Sequence, residues 1–509
     1  MIIMKFSHLN VVKILSNYFG KIWNLLSVFI FVPIYIYYLG VESYAIIGFY
    51  ALILGLISFA DAGMSSAITR EISLDSEPAY KLTIVKKIER IYWSVLFFIG
   101  LMIIFSSRLI AEKWLVSEQI PLNDLQNYVI LIGIGTCIQI VSSLYFGAMF
   151  GLGYQVQANS YQIIWTTFKS LFVVLLFILI KADLYIFLIW QIICNIVYVL
   201  FLRITVFKKL KQLVYPETLI KNFVIPSRIF KYIGGMTLVA IISAVNSQAD
   251  KLIISYYYTL KTFGYYTMVS TLAQIPIFLT IPMASFVFPL LSKYSENNQQ
   301  LLFNQTLNKF VYLLYLIVIP VAIIACFYPM ELLQAWIRSG LDETAFAGFN
   351  FLICTLMIGS LFLAMQFPFY YTLLAHSQTK YTVYQGIVQI SLGIPLLLYF
   401  ANSLGLKYVG IPWLLINFFA LIYLSYVCFR LYINFKIFKF IFYDVMPPFI
   451  FSIILGMIGY MVYRYSDAPF YLFFLLSVLA SICLGIVWGN YKSQRRLLAF
   501  KHLYDFPRG

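Results

Sequence analysis

The sequence predicts an all-α integral membrane protein with about fourteen transmembrane helices. Three observations carry that expectation. Of 509 residues, 62% are hydrophobic and 11% charged, and the mean hydropathy is +0.90, far from the averages of soluble domains. Apolar runs of about 20 residues recur with short breaks from Val11 to Trp488, the length a helix needs to cross a hydrocarbon core of about 30 Å. The basic residues are asymmetric: with both termini in the cytoplasm, roughly 25 of the 35 Lys and Arg fall on the inner side. That set is led by Lys81, Lys86, Lys87 and Arg90, by the cluster from Arg203 to Lys231, and by Lys492, Arg495, Arg496 and Lys501. The net charge of +16 is then a topology signal with an attraction for anionic headgroups, and it requires no nucleic acid.

Taken in order, the first apolar run is too long for a signal peptide's core and no small-residue cleavage site follows it, so it is expected to stay as the first span. It covers Val11 to Tyr38 and carries Lys13, Asn17, Lys21 and Asn24 on one stripe. Lys21 reads either as a cation facing a cavity or as a lysine snorkelling to the inner headgroups. A turn at Leu39 to Tyr44 leads to a second span ending in SFADAGMSSAITRE, residues 58–71, which holds Asp61 and Arg70. Arg70 to Arg90 reads as a charged cytoplasmic loop. The fourth span carries Gln139 and Ser142 and ends in a small-residue hairpin, FGAMFGLGYQVQANSYQ. The fifth places Gln162, Thr166 and Lys169 on one face, where Lys169 either faces a cavity or is capped by carbonyls or a neighbouring carboxylate.

In the seventh span Ser243, Asn246 and Asp250 form a further polar stripe. A carboxylate near the middle of a membrane helix costs about 2.5 to 3.5 kcal/mol on insertion scales, so it faces a bundle interior, a neighbour or a watery cavity. Asp250 and Lys251 are adjacent and point about 100° apart, so each needs its own partner; Lys21 or Lys169 would suit Asp250. The eighth span contains Gln274, Pro276, Pro282 and Pro289, and the tenth Gln366 and Pro368; prolines there bend helices and free carbonyls. The last two spans are nearly free of polar stripes and read as peripheral.

The segment LGVESYA at 39–45, about 15 apolar residues, then Asp61, Gly63 and Arg70 resemble the amino-terminal signature of the polysaccharide transporter family that includes Wzx-type O-antigen flippases. That family sits in the multidrug/oligosaccharidyl-lipid/polysaccharide exporter superfamily. Ser243 to Pro289 resembles the same family's second-half signature, with an intramembrane aspartate and lysine, a glycine-aromatic turn and a proline-ended helix. GluSerTyrAla at 42–45 and LysThrPheGly at 261–264 also resemble one another, as a weak internal repeat would.

The resemblance implies two pseudo-symmetric six-helix bundles, 1–207 and 230–433, a cytoplasmic linker at 208–229, and an accessory helix pair with a basic tail at 434–509. It implies a bacterial inner-membrane protein with cytoplasmic termini that flips undecaprenyl-pyrophosphate-linked O-antigen or related repeat units to the periplasmic leaflet. Envelope polysaccharide assembly proteins are implied partners. The candidate substrate path comprises Lys21, Asn24, Lys169, Asn246, Asp250 and Lys251; Asp61, Arg70, Pro276 and Pro282 are structural or gating candidates. Asp250 is the candidate proton or sodium site.

Other chemistries are disfavoured. No GxxxxGK[ST] loop exists to cradle nucleotide phosphates. The six cysteines lie in apolar runs without zinc or redox spacing and read as small core residues, and His8, His376 and His502 form no cluster. No metal and no cofactor are expected. An intramembrane transferase would need paired acids or a histidine at a membrane face. The alternative within the superfamily is a multidrug or metabolite antiporter, whose cavity would want acids for cationic drugs.

Overall fold

In lipid a backbone amide finds no water, so apolar runs of this length close their hydrogen bonds internally as helices. The computed structural model describes residues 8–61, 63–74, 77–213, 226–337, 348–432 and 440–504; the side chains of some helical residues, Lys21 and Asn24 among them, lie outside what is described. All regular structure among the described residues is helical, and twelve helices are long and apolar enough to cross a membrane. They fall into two compact units, Met1–Thr267 with Ile337–Gly340, and Met268–Trp336 with Leu341–Gly509.

The first unit begins with α1 (His8–Ile57), two helical runs joined at Gly40, whose φ of 78° and ψ of 172° suit a residue without Cβ. This break falls within the turn expected at 39–44. After a 3-10 turn at Ser58–Ala60 come α2 (Met64–Ser73), α3 (Pro78–Lys113), α4 (Leu122–Gly151), α5 (Gln155–Leu179), α6 (Leu184–Leu213) and α7 (Ser227–Tyr257). The start of α8 (Leu260–Ala273) also belongs here. The stretch expected as a charged loop between Arg70 and Arg90 is mostly helix, because α2 runs to Ser73 and α3 opens at Pro78, where proline's fixed φ favours a helix start. Lys81, Lys86, Lys87 and Arg90 therefore lie on α3. The small-residue hairpin is built as expected: Tyr154 N donates to Met149 O and Gly153 N to Phe150 O, with Gly153 at φ 82°. That double closure satisfies the last carbonyls of α4.

Side chains of α2, α3, α4 and α6 form the core of this unit, including the fully buried Ile68, Leu82, Val141, Leu144, Leu202 and Val206. Helix α2 lies almost against the backbone of α4. A Cβ on Gly147 would sit 2.6 Å from Ser65 Oγ, and one on Gly151 would sit 2.8 Å from Thr69 O. The space they leave lets Ser65 Oγ donate to Ser143 O at 2.9 Å and Thr69 Oγ1 to Gly147 O at 2.9 Å, the small-residue and polar contacts that hold helices together in lipid. Nearby, Glu89 accepts from Tyr145 OH and pairs with Arg203 Nε, both at 2.6 Å. Linker residues 214–225 lie outside what is described.

In the second unit the proline-rich run does not continue as one bent helix. It breaks at Gln274 (φ −83°, ψ 0°), and Pro276 stands in the first turn of α9 (Ile275–Glu296), with Pro282 and Pro289 inside that helix. Proline cannot donate to the carbonyl four residues back, so the ladder of α8 stops there. Next follow α10 (Gln300–Ala325), α11 (Pro329–Trp336), α12 (Phe349–Ala375), α13 (Thr379–Tyr399) and α14 (Gly410–Leu431). The last two helices are α15 (Met446–Arg464) and α16 (Phe470–Tyr504). Helix α12 packs closely on α14: a Cβ on Gly410 would clash with Thr355, and one on Gly359 with Trp413. The terminal pair is joined by Ser452 and Ser481, whose hydroxyls lie 3.0 Å apart, and docks on α10 where Tyr312 OH donates to Gly485 O at 3.1 Å.

Gly147→Val should destabilise the protein by about 1–3 kcal/mol by overpacking the α2–α4 seam. Gly234→Ala, with nothing within 4 Å of its Cβ, should leave stability unchanged or slightly higher, as thermal unfolding in detergent will show.

Candidate functional site

A lysine inside a bundle needs acceptors, and α5 delivers Lys169 to a place with few. Trp165, one turn earlier on the same face, stacks on Tyr198 of α6 with ring centroids 4.5 Å apart and planes at 11°. The Lys169 ammonium lies 4.8 Å from the Trp165 centroid and 5.8 Å from that of Tyr50 on α1, within the range of cation–π attraction. Its hydrogen bond goes to Gln139 Oε1 of α4 at 3.3 Å. The same oxygen accepts from Tyr50 OH at 2.8 Å and from Asn195 Nδ2 at 3.4 Å. Asn195, fully buried on α6, also donates to Gly135 O at 3.1 Å. Among the described residues no carboxylate pairs with Lys169.

Tyr50, Trp165 and Asn195 were not singled out by the sequence. Each sits in an apolar run, and only the packing of four helices reveals that they surround one ammonium group.

Two acids of the same unit, Asp61 and Asp250, are held differently. Asp61 accepts from Tyr92 OH at 2.6 Å, and that hydroxyl is also 3.0 Å from Ser143 Oγ. Asp250 accepts from Tyr266 OH at 2.7 Å. Both tyrosines are fully buried. The pairing of Asp250 with Lys169 entertained from sequence is not what the structure has: each group has its own partner. Adjacent Lys251 is half-buried, and no ion pair joins it to Asp250 among the described residues. Lys21 and Asn24 lie outside the described side chains.

A cavity of about 390 Å³ separates α1 from α7, lined on one side by Gly55 and Ser58 and on the other by Met236, Ser243, Ser247 and Gln248. Of the expected α7 stripe Ser243 reaches it, while Asn246 and Asp250 do not line it. Arg70 is exposed near the end of α2.

The turn signature also has a structural role. Glu42 is buried and accepts from Ser117 Oγ and from Glu118 N, fastening the α3–α4 connection. Trp114 Nε1, just after α3, donates to Ser255 Oγ of α7 at 2.9 Å. The two look-alike helix openings meet directly: a Cβ on Gly264 would lie 2.7 Å from Val41 O and 3.2 Å from Ala45 Cβ. In the second unit, buried Gln366 donates to Asn417 O at 3.1 Å and Oδ1 at 3.3 Å, and accepts from Gln385 Nε2 at 2.9 Å.

The sequence profile described as "Polysaccharide biosynthesis protein" matches residues 11–295, more than half of the chain. The chain belongs to that family. Among solved structures it is similar to the lipid II flippase MurJ in an inward closed conformation, with 15% identity and a TM-score of 0.72, covering 96% of this chain and 100% of that one. An inward-facing multidrug resistance MATE family transporter of the MOP superfamily matches at 12% identity and a TM-score of 0.62, over 88% of this chain and 96% of that one. A MOP superfamily transporter from Pyrococcus furiosus, described as having a binding pocket of reversed polarity, matches at 13% identity and 0.61, over 83% and 95%. These likenesses establish a shared fold. No curated protein sequence matches the chain.

Tyr92→Phe should cost about 1–3 kcal/mol, because it strips the half-buried Asp61 carboxylate of the hydroxyl that donates to it. Tyr37→Phe, at an exposed position, should be neutral; thermal unfolding of the two variants side by side tests this.

Proposed function

We propose that this protein flips a lipid-linked oligosaccharide, an undecaprenyl-pyrophosphate-linked repeat unit of O-antigen or a related polymer, from the cytoplasmic to the periplasmic leaflet. The observation that carries the reading is Lys169, an ammonium within the bundle held by one amide oxygen and two aromatic faces, with no carboxylate partner among the described residues. Such a group has electrostatic demand left for an anion, and it offsets part of the desolvation of a pyrophosphate crossing the membrane. Lys21 and Lys251 would extend the path. Membership of a polysaccharide biosynthesis family and the fold shared with a lipid II flippase support the same substrate class.

Alternating access of two halves, 1–207 and 230–433, is the proposed cycle. Two features support a repeat: amide pairs at Gln139–Asn195 and Gln366–Asn417, and the resemblance of 42–45 to 261–264. Fourteen crossings follow if the two runs of α1 and helix α7 are each counted. Cytoplasmic termini in a bacterial inner membrane agree with the basic bias. Asp250 is the proposed ion-coupling site.

The second reading, a multidrug antiporter, draws on the fold shared with MATE transporters. It is less favoured because Asp61 and Asp250 are already engaged by tyrosines.

Leaflet-resolved quantification of lipid-linked oligosaccharide in cells lacking the protein should show accumulation on the cytoplasmic face, cleared on restoration; normal delivery without it would reject flipping. Lys169→Ala should lower flux about tenfold, a loss of about 1.4 kcal/mol of stabilisation, while Lys169→Arg retains part of it. Equal losses in both would mean packing instead. Asp250→Asn with full transport and full gradient dependence would exclude it from coupling.

A further inference from the structure

The structure joins two cysteines that the sequence reads as unrelated core residues. Cys326 follows the last residue of α10, and Cys354 lies in the second turn of α12. They are 28 positions apart, yet Cys354 Sγ donates to Cys326 O at 3.4 Å and Cys326 Sγ lies 4.0 Å from Cys354 O. This reciprocal contact places each side chain against the other's backbone at the junction of the two helices. Both residues are half-buried, whereas Cys137, Cys194 and Cys428 are buried and Cys483 is exposed. Cys326 Sγ also donates to Ala322 O at 3.3 Å, one turn back on its own helix, and Cys428 Sγ donates to Phe369 O at 3.3 Å.

We infer that Cys326 and Cys354 form a redox-modifiable tether between α10 and α12. Each sulfur already lies against the other residue's backbone carbonyl, so bonding requires turning the two side chains until the sulfurs are about 2.05 Å apart. With a disulfide as oxidant, the thiolate of one cysteine attacks a donor sulfur, breaks the donor bond and releases one donor thiol. The second thiolate then attacks the protein sulfur of that mixed disulfide and releases the other donor thiol. The protein gives up two electrons and two protons, and the donor takes both. The product closes the chain around α11 and fixes the end of α10 to the start of α12. On the orientation proposed above this junction faces the periplasm, where a disulfide persists; the chemistry of the pair does not rest on that orientation.

The test uses the purified full-length protein in detergent with dithiodipyridine as the oxidant, followed by alkylation in denaturant and peptide mapping. The expected result is two thiopyridones released for this pair, no pyridyl group retained on it, and a reducible crosslinked peptide containing Cys326 and Cys354. Cys483 should carry a pyridyl or alkyl group instead. In Cys326→Ser the crosslink should vanish and Cys354 should carry a pyridyl or alkyl group, while Cys483→Ser keeps the crosslink. Alkyl or pyridyl groups on both Cys326 and Cys354 of the wild-type protein would overturn the inference, as would crosslinking of either to Cys483 at comparable yield.

Discussion

Inside a bilayer each polar side chain must find its partner within the protein, because no water competes for it and none rescues it. This constraint organises the first unit. Asp61 and Asp250, on separate segments, each receive a tyrosine hydroxyl at under 2.8 Å. Glu89 takes both Tyr145 and Arg203, and Glu42 takes a serine and a backbone amide from the α3–α4 connection. Threonines and serines within helices turn back to their own carbonyls, as Thr136 does to Ile132 O and Thr167 to Ile163 O. Acids that looked isolated along the chain are thus engaged by donors from other segments, although Glu42 Oε2 is buried without one among the described residues.

Close backbone approach is what makes these partnerships reachable. Gly147 and Gly151 let α2 settle on α4, which brings Asp61 near Tyr92 and Ser143. Gly135 opens room for Tyr50, whose ring lies 3.2 Å from where a Cβ would stand, and so lets that hydroxyl reach Gln139. Gly264 packs on Val41 at the opening of α8, on the helix whose Tyr266 holds Asp250. The small residues and the polar contacts are two parts of one device, since short interhelical distances are useful in lipid mainly when they complete hydrogen bonds and packing.

Lys169 is held differently from these acids. A single amide oxygen, already shared with Tyr50 and Asn195, and two ring faces are what surround it. Neutral acceptors and rings stabilise an ammonium less than a carboxylate does. That contrast with the committed acids is why the flippase proposal rests on the cation and why an anionic headgroup suits it better than a cationic drug.

Much of the architecture was readable in the chain. Hydropathy and run length gave helices in lipid, Gly40 and Gly153 marked turns that need positive φ, and family motifs lay where the profile match falls. These are local properties: hydrogen-bonding in lipid leaves only helix, and a missing Cβ is visible in one letter. Partner identity was not local. Which tyrosine meets which aspartate, that Gln139 gathers three donors, and that Cys326 touches Cys354 all depend on how separate helices are rotated and packed. A stripe pattern fixes which face of a helix is polar, but the facing helix, and so the partner, is chosen by the packing of the whole bundle.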